Sequence, residues 1–221
     1  MTDRIVFSKS KQARYISHLD LMRTFQRGFN RAGIEIRHTE GFHPHPFVSI
    51  ALPLSLGFSS ECEILEFGLV SGSTREELPQ KLTEVLPEGI DILSCYEGEI
   101  KLKHIIFLEY LLTLDYGDAV PQGAEAAWQS FLSQESLVVE KKSKKSKKGF
   151  VSLDIMPMIH QSAIEIQGSH LMIKTLLTAQ NPGLNPELIR KAFVEQNPEL
   201  APKFMYCHRL EIYNKDREVF R

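Results

Sequence analysis

The stretch from Ser17 to Gly33 constrains this chain most, because its pattern commits it to an amphipathic helix. Leu19, Met22, Phe25 and Phe29 recur at helical spacing, Arg23, Arg27 and Arg31 form an i, i+4, i+8 row opposite them, and Gly33 supplies the stop. Ser17, with Asp20 three residues on, has the spacing of a capping box, so the predicted helix runs from there to about Ala32. Strand-like runs bracket it. Arg4 to Ser8 precedes it; Ile34 and Ile36 alternate with polar residues after it, Thr39 to Pro46 reads as a loop, Phe47 to Leu54 resumes extended structure, and Glu61 to Leu69 is another strand. Ser73 with Glu76 opens a second helix through Leu78, Leu82 and Val85, and Ile90 to Tyr96 closes the series as a strand. This order is the split βαβ pattern of a ferredoxin-like unit, placed at residues 1–100.

The second half repeats the order without repeating the sequence. His104 to Asp115 is a long strand, Ala124 to Leu132 a helix carrying Trp128 and Phe131, and Leu137 to Glu140 a strand. A lysine-rich loop at 141–148 precedes an extended run from Phe150 to Met156. A hairpin pairs Ala163 to Gln167 with Leu171 to Thr178, with Gln167, Gly168 and Ser169 as turn residues. Asn185 or Pro186 starts a helix through Leu188, Ile189, Ala192 and Phe193, and Phe204 to Tyr213 ends the series as a strand. The fold expected is α+β: two tandem ferredoxin-like (βαββαβ) domains with antiparallel sheets, residues 1–100 and 103–221, joined near 98–103. A length of 221 residues suits two small domains of this kind.

With 43% apolar and 24% charged residues, disorder is excluded, and no apolar run approaches the roughly 20 residues that span a bilayer. The first residues lead into a strand and not into the apolar region of a signal peptide, and three cysteines leave one unpaired in any disulfide scheme, so the cytoplasm is the expected location. The net charge of −2 conceals an asymmetry. Residues 1–60 carry +4 and also hold His18, His38, His43 and His45, whereas residues 61–103 carry −6. Such separation presents one basic surface on a nearly neutral protein, the form a phosphate-bearing partner detects.

Two polar constellations stand out: Arg14, Tyr15, Ser17, His18 and Asp20 at the start of the first helix, and His38 followed by Gly41, Phe42, His43, Pro44, His45 and Pro46 in the loop. Ser17, His18 and Asp20 are the residue types of a catalytic triad, but consecutive positions at a helix start do not line up serine, imidazole and carboxylate; capping explains them. The helix dipole disfavours the cationic form of His18, which suits a neutral general base; His18 and His43 are the candidates for acid/base chemistry. His38, His43 and His45 supply three nitrogens, the only candidate metal ligands, and they lack the spacing of established zinc sites. Cys62, Cys95 and Cys207 are too dispersed for an iron–sulfur centre, so no cofactor is expected. Arg23, Arg27 and Arg31 extend over about 11 Å of helix, a spacing compatible with phosphates along a strand, and Lys141, Lys142, Lys144, Lys145, Lys147 and Lys148 add a second basic feature. With Arg14 and Tyr15 these are the expected RNA-binding residues.

The run Tyr15-Ile16-Ser17-His18-Leu19-Asp20-Leu21-Met22-Arg23, with Arg27, Arg31-Ala32, Gly41-Phe42-His43-Pro44-His45-Pro46, Pro53-Leu54, Gly57, Ser60, Glu61 and Glu63, resembles the radical-SAM-linked protein family. The likeness continues through Asp154-Ile155 and Pro157-Met158-Ile159. That family is a domain of unknown function encoded beside, or fused to, B12-binding-type radical SAM proteins, and it also occurs near or fused to ribonuclease E/G-type proteins. The resemblance implies a radical SAM protein as partner, with Gly41 to Pro46 as the partner or substrate loop, and RNA as the molecule presented. The function expected is therefore an accessory protein in RNA modification or processing. At fold level, tandem ferredoxin-like units are also similar to the CRISPR repeat-processing endoribonucleases, which implies the alternative of a metal-independent endoribonuclease using histidine.

Overall fold

Alternation in β1 (Thr2–Lys9) sends Ile5 and Phe7 to one face, and a helix must cover them. In the computed structural model, which describes residues 2–70, 72–142 and 149–221, that helix is α1 (His18–Arg31). It buries Leu21, Phe25 and Phe29; Phe25 meets Phe7 edge-on at 4.8 Å, and Phe29 lies 5.0 Å from Phe67. Leu19, expected on this face, is exposed instead. It stands about 120° around the helix from Phe25, whereas Leu21, one turn before Phe25, takes the core position. Gly28 permits close packing, since a Cβ there would lie 3.0 Å from Leu86.

β2 (Val48–Ala51), β3 (Ser59–Phe67), α2 (Leu78–Thr83) and β4 (Ile90–Gly98) follow. Every pairing is antiparallel: β1 lies between β4 and β3, and β2 pairs with β3 on its other side. Leu78 and Leu82 join the core beneath α1, so both helices cover the same face. The second helix is shorter than its sequence pattern. It starts beyond Ser73 and Glu76, where Pro79 suits the first turn, and Glu77 makes no side-chain cap. The expected strand at Ile34 and Ile36 reduces to a bridge between Ile36 and Leu69, because β2 occupies the edge of β3.

The chain packs as two units, and the first takes residues 1–104 together with Arg209–Glu211 and Val219–Arg221. The expected domains were 1–100 and 103–221. Phe220 is buried in the first unit, and the Arg4 guanidinium lies 5.4 Å from its ring while bonding Glu66 at 2.8 and 3.0 Å.

The second unit holds residues 105–208 and 212–218. Its main sheet contains β5 (Phe107–Asp115), β8 (Ile159–Gln167), β9 (His170–Thr178) and β10 (Phe204–Tyr213), in the order β8-β9-β5-β10. Relative to chain order within the unit this is second, third, first, fourth, the connectivity of the first unit. Among the described residues β6 (Val138–Lys142) and β7 (Phe150–Asp154) pair only with each other, so the segment expected as the second strand stands apart from the main sheet and β8 takes that place. Lys141 and Lys142 end β6; Lys144, Lys145, Lys147 and Lys148 lie outside the described residues. α3 (Ala124–Leu132) and α4 (Pro186–Gln196) meet where Trp128 stacks on Phe193 at 3.7 Å, with Phe131 edge-on to both. Asn185 caps α4 by accepting from the Glu187 amide. The protein is thus an α+β chain with largely antiparallel sheets, and no described helix is long and apolar enough to cross a membrane.

Because Phe220 completes the first unit from the far end of the chain, Phe220→Ala is expected to lower stability by about 3–5 kcal/mol, read as a lower urea midpoint. A midpoint unchanged from wild type would show that the C-terminal residues do not belong to that core.

Candidate functional site

Lys9 and Glu63 are charged residues set into strand patterns that point inward. Glu63 precedes Leu65 and Phe67 at alternate positions, and a register shift after Phe7 places Lys9 opposite Ser60. With Arg209 they form an ionic cluster in the first unit in which none of the three is more than 3% exposed. Arg209 Nη1 donates to Glu63 Oε1 at 2.9 Å and to the Leu52 carbonyl at 3.0 Å. Lys9 Nζ donates to the Ile16 carbonyl at 3.0 Å, and the Ser60 hydroxyl oxygen accepts from the Cys62 amide at 3.1 Å. Glu63 Oε2 has no hydrogen-bond partner among the described residues.

Burial pushes the Glu63 carboxyl up from the ordinary range, against the pull of Arg209 and Lys9. It pushes the Lys9 ammonium down, opposed by Glu63. The neighbouring Cys62 thiol is pushed up to about 12 by burial, which keeps it protonated and unreactive. This cluster therefore acts as a clamp. Its two cations hold the carbonyl before α1 and the carbonyl of Leu52, a leucine in the left-handed region at φ 46°.

The clamped segments meet directly, because the Gly57 amide donates to the Arg14 carbonyl at 2.9 Å. Gly57 has φ +86°, and a Cβ on it would come within 3.9 Å of the Tyr15 ring. What they display is apolar and cationic: Tyr15 is 53%, Leu19 63% and Leu56 64% exposed, and the Arg14 guanidinium lies 4.9 Å from the Tyr15 ring centre. Down α1 from this patch stand Arg23, Arg27 and Arg31, all exposed, with Arg31 bonding the Val85 carbonyl at 3.3 Å.

Ser17 is the N-cap. Its Oγ accepts from the Asp20 amide at 3.2 Å and donates to Asp20 Oδ2 at 2.7 Å, while Arg23 donates to Asp20 Oδ1 at 3.1 Å. The Ser17 and Arg23 bonds hold the Asp20 carboxyl below the usual range. Both its oxygens are thus engaged away from His18, which is exposed at the first position of α1.

The histidine loop is anchored elsewhere. Gln26 Nε2 donates to the Pro46 carbonyl at 2.9 Å, and Gln26 lies about 13 Å of helix rise from Ser17. Within the loop the Thr39 amide donates to the His45 carbonyl at 2.8 Å, and His45 Nδ1 lies 3.1 Å from Thr39 Oγ1 and 3.2 Å from the His43 carbonyl. Gly41, His43 and Pro44 are exposed, and Phe42 is fully so. His38 bridges to Pro46 and borders a cavity of about 460 Å³ with Asn30, Ile34 and Glu35 at the C-terminal end of α1. His38, His43 and His45 do not converge on a common centre: among the described residues no group of three side chains could hold a metal. The expected sites thus divide, with Arg14 to Arg31 on one helix and its leading turn, and Gly41 to Pro46 on its flank. The clamp residues Lys9 and Arg209 were not legible as functional; their only signal was a charge at an inward-facing strand position.

The sequence model of a family described as an uncharacterized protein conserved in bacteria (DUF2344) matches residues 3–186. No curated protein matches the chain. Among solved structures, a chain of a Cbf5-Nop10-Gar1 complex superposes with a TM-score of 0.51 at 12% identity, over 95% of this chain and 48% of that one, so this chain spans about half its length. An unknown protein from Galdieria sulphuraria (TM-score 0.28, 11% identity) and a putative glycine cleavage system transcriptional repressor (0.24, 12%) each match 94% of this chain and 97% of theirs.

Glu63→Gln leaves Lys9 and Arg209 buried without a counter-charge, and is expected to cost about 3–5 kcal/mol. Glu88→Gln breaks only the exposed pair with Lys11 and should leave the urea midpoint at the wild-type value. Equal midpoints for the two variants would refute the clamp.

Proposed function

We propose that this chain, which belongs to the DUF2344 family of bacterial proteins, is an RNA-binding accessory protein that presents its substrate to a radical SAM partner. The reading is carried by one observation: an arginine-stacked, half-exposed tyrosine heads a row of exposed arginines spaced by single helical turns. Successive members of the row are about 6 Å apart along α1, so an extended phosphate backbone can follow it while a base stacks on Tyr15. In our reading both units are ferredoxin-like, from their shared βαββαβ order. The radical SAM partner rests on the resemblance of the residue runs around Tyr15 to Arg23 and Gly41 to Pro46. The exposed Phe42 gives that partner an apolar anchor on the histidine loop. A histidine-based ribonuclease is the weaker reading, because Asp20 serves Ser17 and Arg23 and does not orient His18.

Replacing Arg23, Arg27 and Arg31 by glutamine preserves helix propensity while removing charge. The triple variant is expected to bind single-stranded RNA more weakly, with a salt slope shallower by about 0.7 per lost phosphate contact. A salt titration with fluorescent RNA checks this, and identical slopes would leave the arginines merely solvated. Independently, co-expression with a B12-binding-type radical SAM protein is expected to give one complex on gel filtration that Phe42→Ala dissociates. Separate elution of the wild-type proteins at micromolar concentration would sink the partnership.

A further inference from the structure

The sheet of the second unit has a face that its helices do not cover. Along β10, Phe204 and Tyr206 alternate with buried Met205 and Cys207, so the two aromatic rings stand on the side away from the core. They are 54% and 41% exposed, with ring centroids 4.8 Å apart. Lys203 donates its amide to the Asp115 carbonyl, and Ile106 donates to the Tyr213 carbonyl; these bonds set β10 antiparallel beside β5. On β5 the half-buried residues Glu109, Leu111 and Thr113 alternate with the buried ones and so turn away from the core, and the β9 partners of Leu111 and Thr113 are Lys174 and Met172.

The rest of the face is polar. Lys174 pairs with Glu109 at 3.0 Å, and both line a cleft of about 250 Å³ with Gln161, Ser162 and Thr175. A protein-docking core is depleted in such charged groups, whereas a base needs a ring to stack on and donors and acceptors for its edge.

We infer that Phe204 and Tyr206 are a second nucleobase-stacking site for single-stranded RNA, with the Lys174–Glu109 cleft reading a base edge; this rests on the RNA-binding function proposed above. The two positions lie about 7 Å apart along the strand, and the rings lean together into one tilted aromatic platform on which bases of an extended backbone can stack. The two sites contribute differently. The arginine row of α1 acts through charge and is weakened by salt, whereas stacking is nearly indifferent to it.

The test is fluorescence anisotropy of the full chain with a labelled 12-nucleotide oligouridine over a range of salt. Phe204→Ala/Tyr206→Ala is expected to weaken binding about tenfold or more at every salt concentration, with an unchanged slope. Phe204→Trp/Tyr206→Phe keeps the rings and should bind as wild type, which separates stacking from a folding defect. An alanine variant that binds like wild type overturns this site while leaving the arginine row intact. The same holds if that variant loses only the radical SAM complex, which would make the face a protein contact. A weakened alanine variant that the ring-conserving pair does not rescue, or whose slope falls with its affinity, also overturns it. Wild-type protein that binds no RNA removes both readings together.

Discussion

A buried carboxylate holds the first unit's display surface in place. Glu63 lies between two buried cations that each donate to a backbone carbonyl, Ile16 before α1 and Leu52 after β2. An isolated buried charge is costly, and the cluster persists because its charges compensate one another and satisfy loop carbonyls that would otherwise lack donors. A hydrophobic cluster could fill the same volume, but it could not bond those carbonyls. The loops would then lose the contact that fixes Tyr15 against Gly57, so the ionic cluster trades stability for position.

The two units share one connectivity but treat the sheet face opposite their helices differently. In the first unit that face is closed: Arg4 pairs with Glu66 and lies over Phe220, and all three are largely removed from solvent. In the second unit the last strand, β10, leaves Phe204 and Tyr206 exposed. A chain that buries an arginine to close one face and leaves two aromatic rings on the other has distinct uses for them. Exposed aromatics on a sheet are costly for solubility, and the stacking site inferred above would account for their presence.

Local patterns made much of this fold legible. α1 followed from its cap and its opposed apolar and arginine rows, and β10 appears over the residues its alternation marked, because both signals are periodic and lie within a few residues. The limits were those of local information. The choice between Leu19 and Leu21 depends on the azimuth of Phe7 and Phe67 beneath the helix, and the separation of β6 and β7 from the main sheet depends on β8 taking the edge of β9. Arg209 is 146 residues from Glu63, so the pair that organises the candidate site could not be inferred from either neighbourhood. A lysine or glutamate in a strand reads locally as a solvent-facing residue.

The turn at Ser17 and His18 and the histidine loop illustrate the same limit. They are close along the chain and rich in polar residues, but a helix carries its two ends apart at 1.5 Å per residue. The loop returns to α1 at Gln26 and not at Ser17. The polar residues thus lie on two surfaces, one at the head of α1 with an exposed tyrosine and one histidine-rich with an exposed phenylalanine. Two surfaces on one small unit allow two molecules to be held at once without competing for the same side chains. An accessory protein that brings a substrate to an enzyme needs that arrangement, whereas a self-sufficient catalyst would gather its acid, base and substrate contacts in one place.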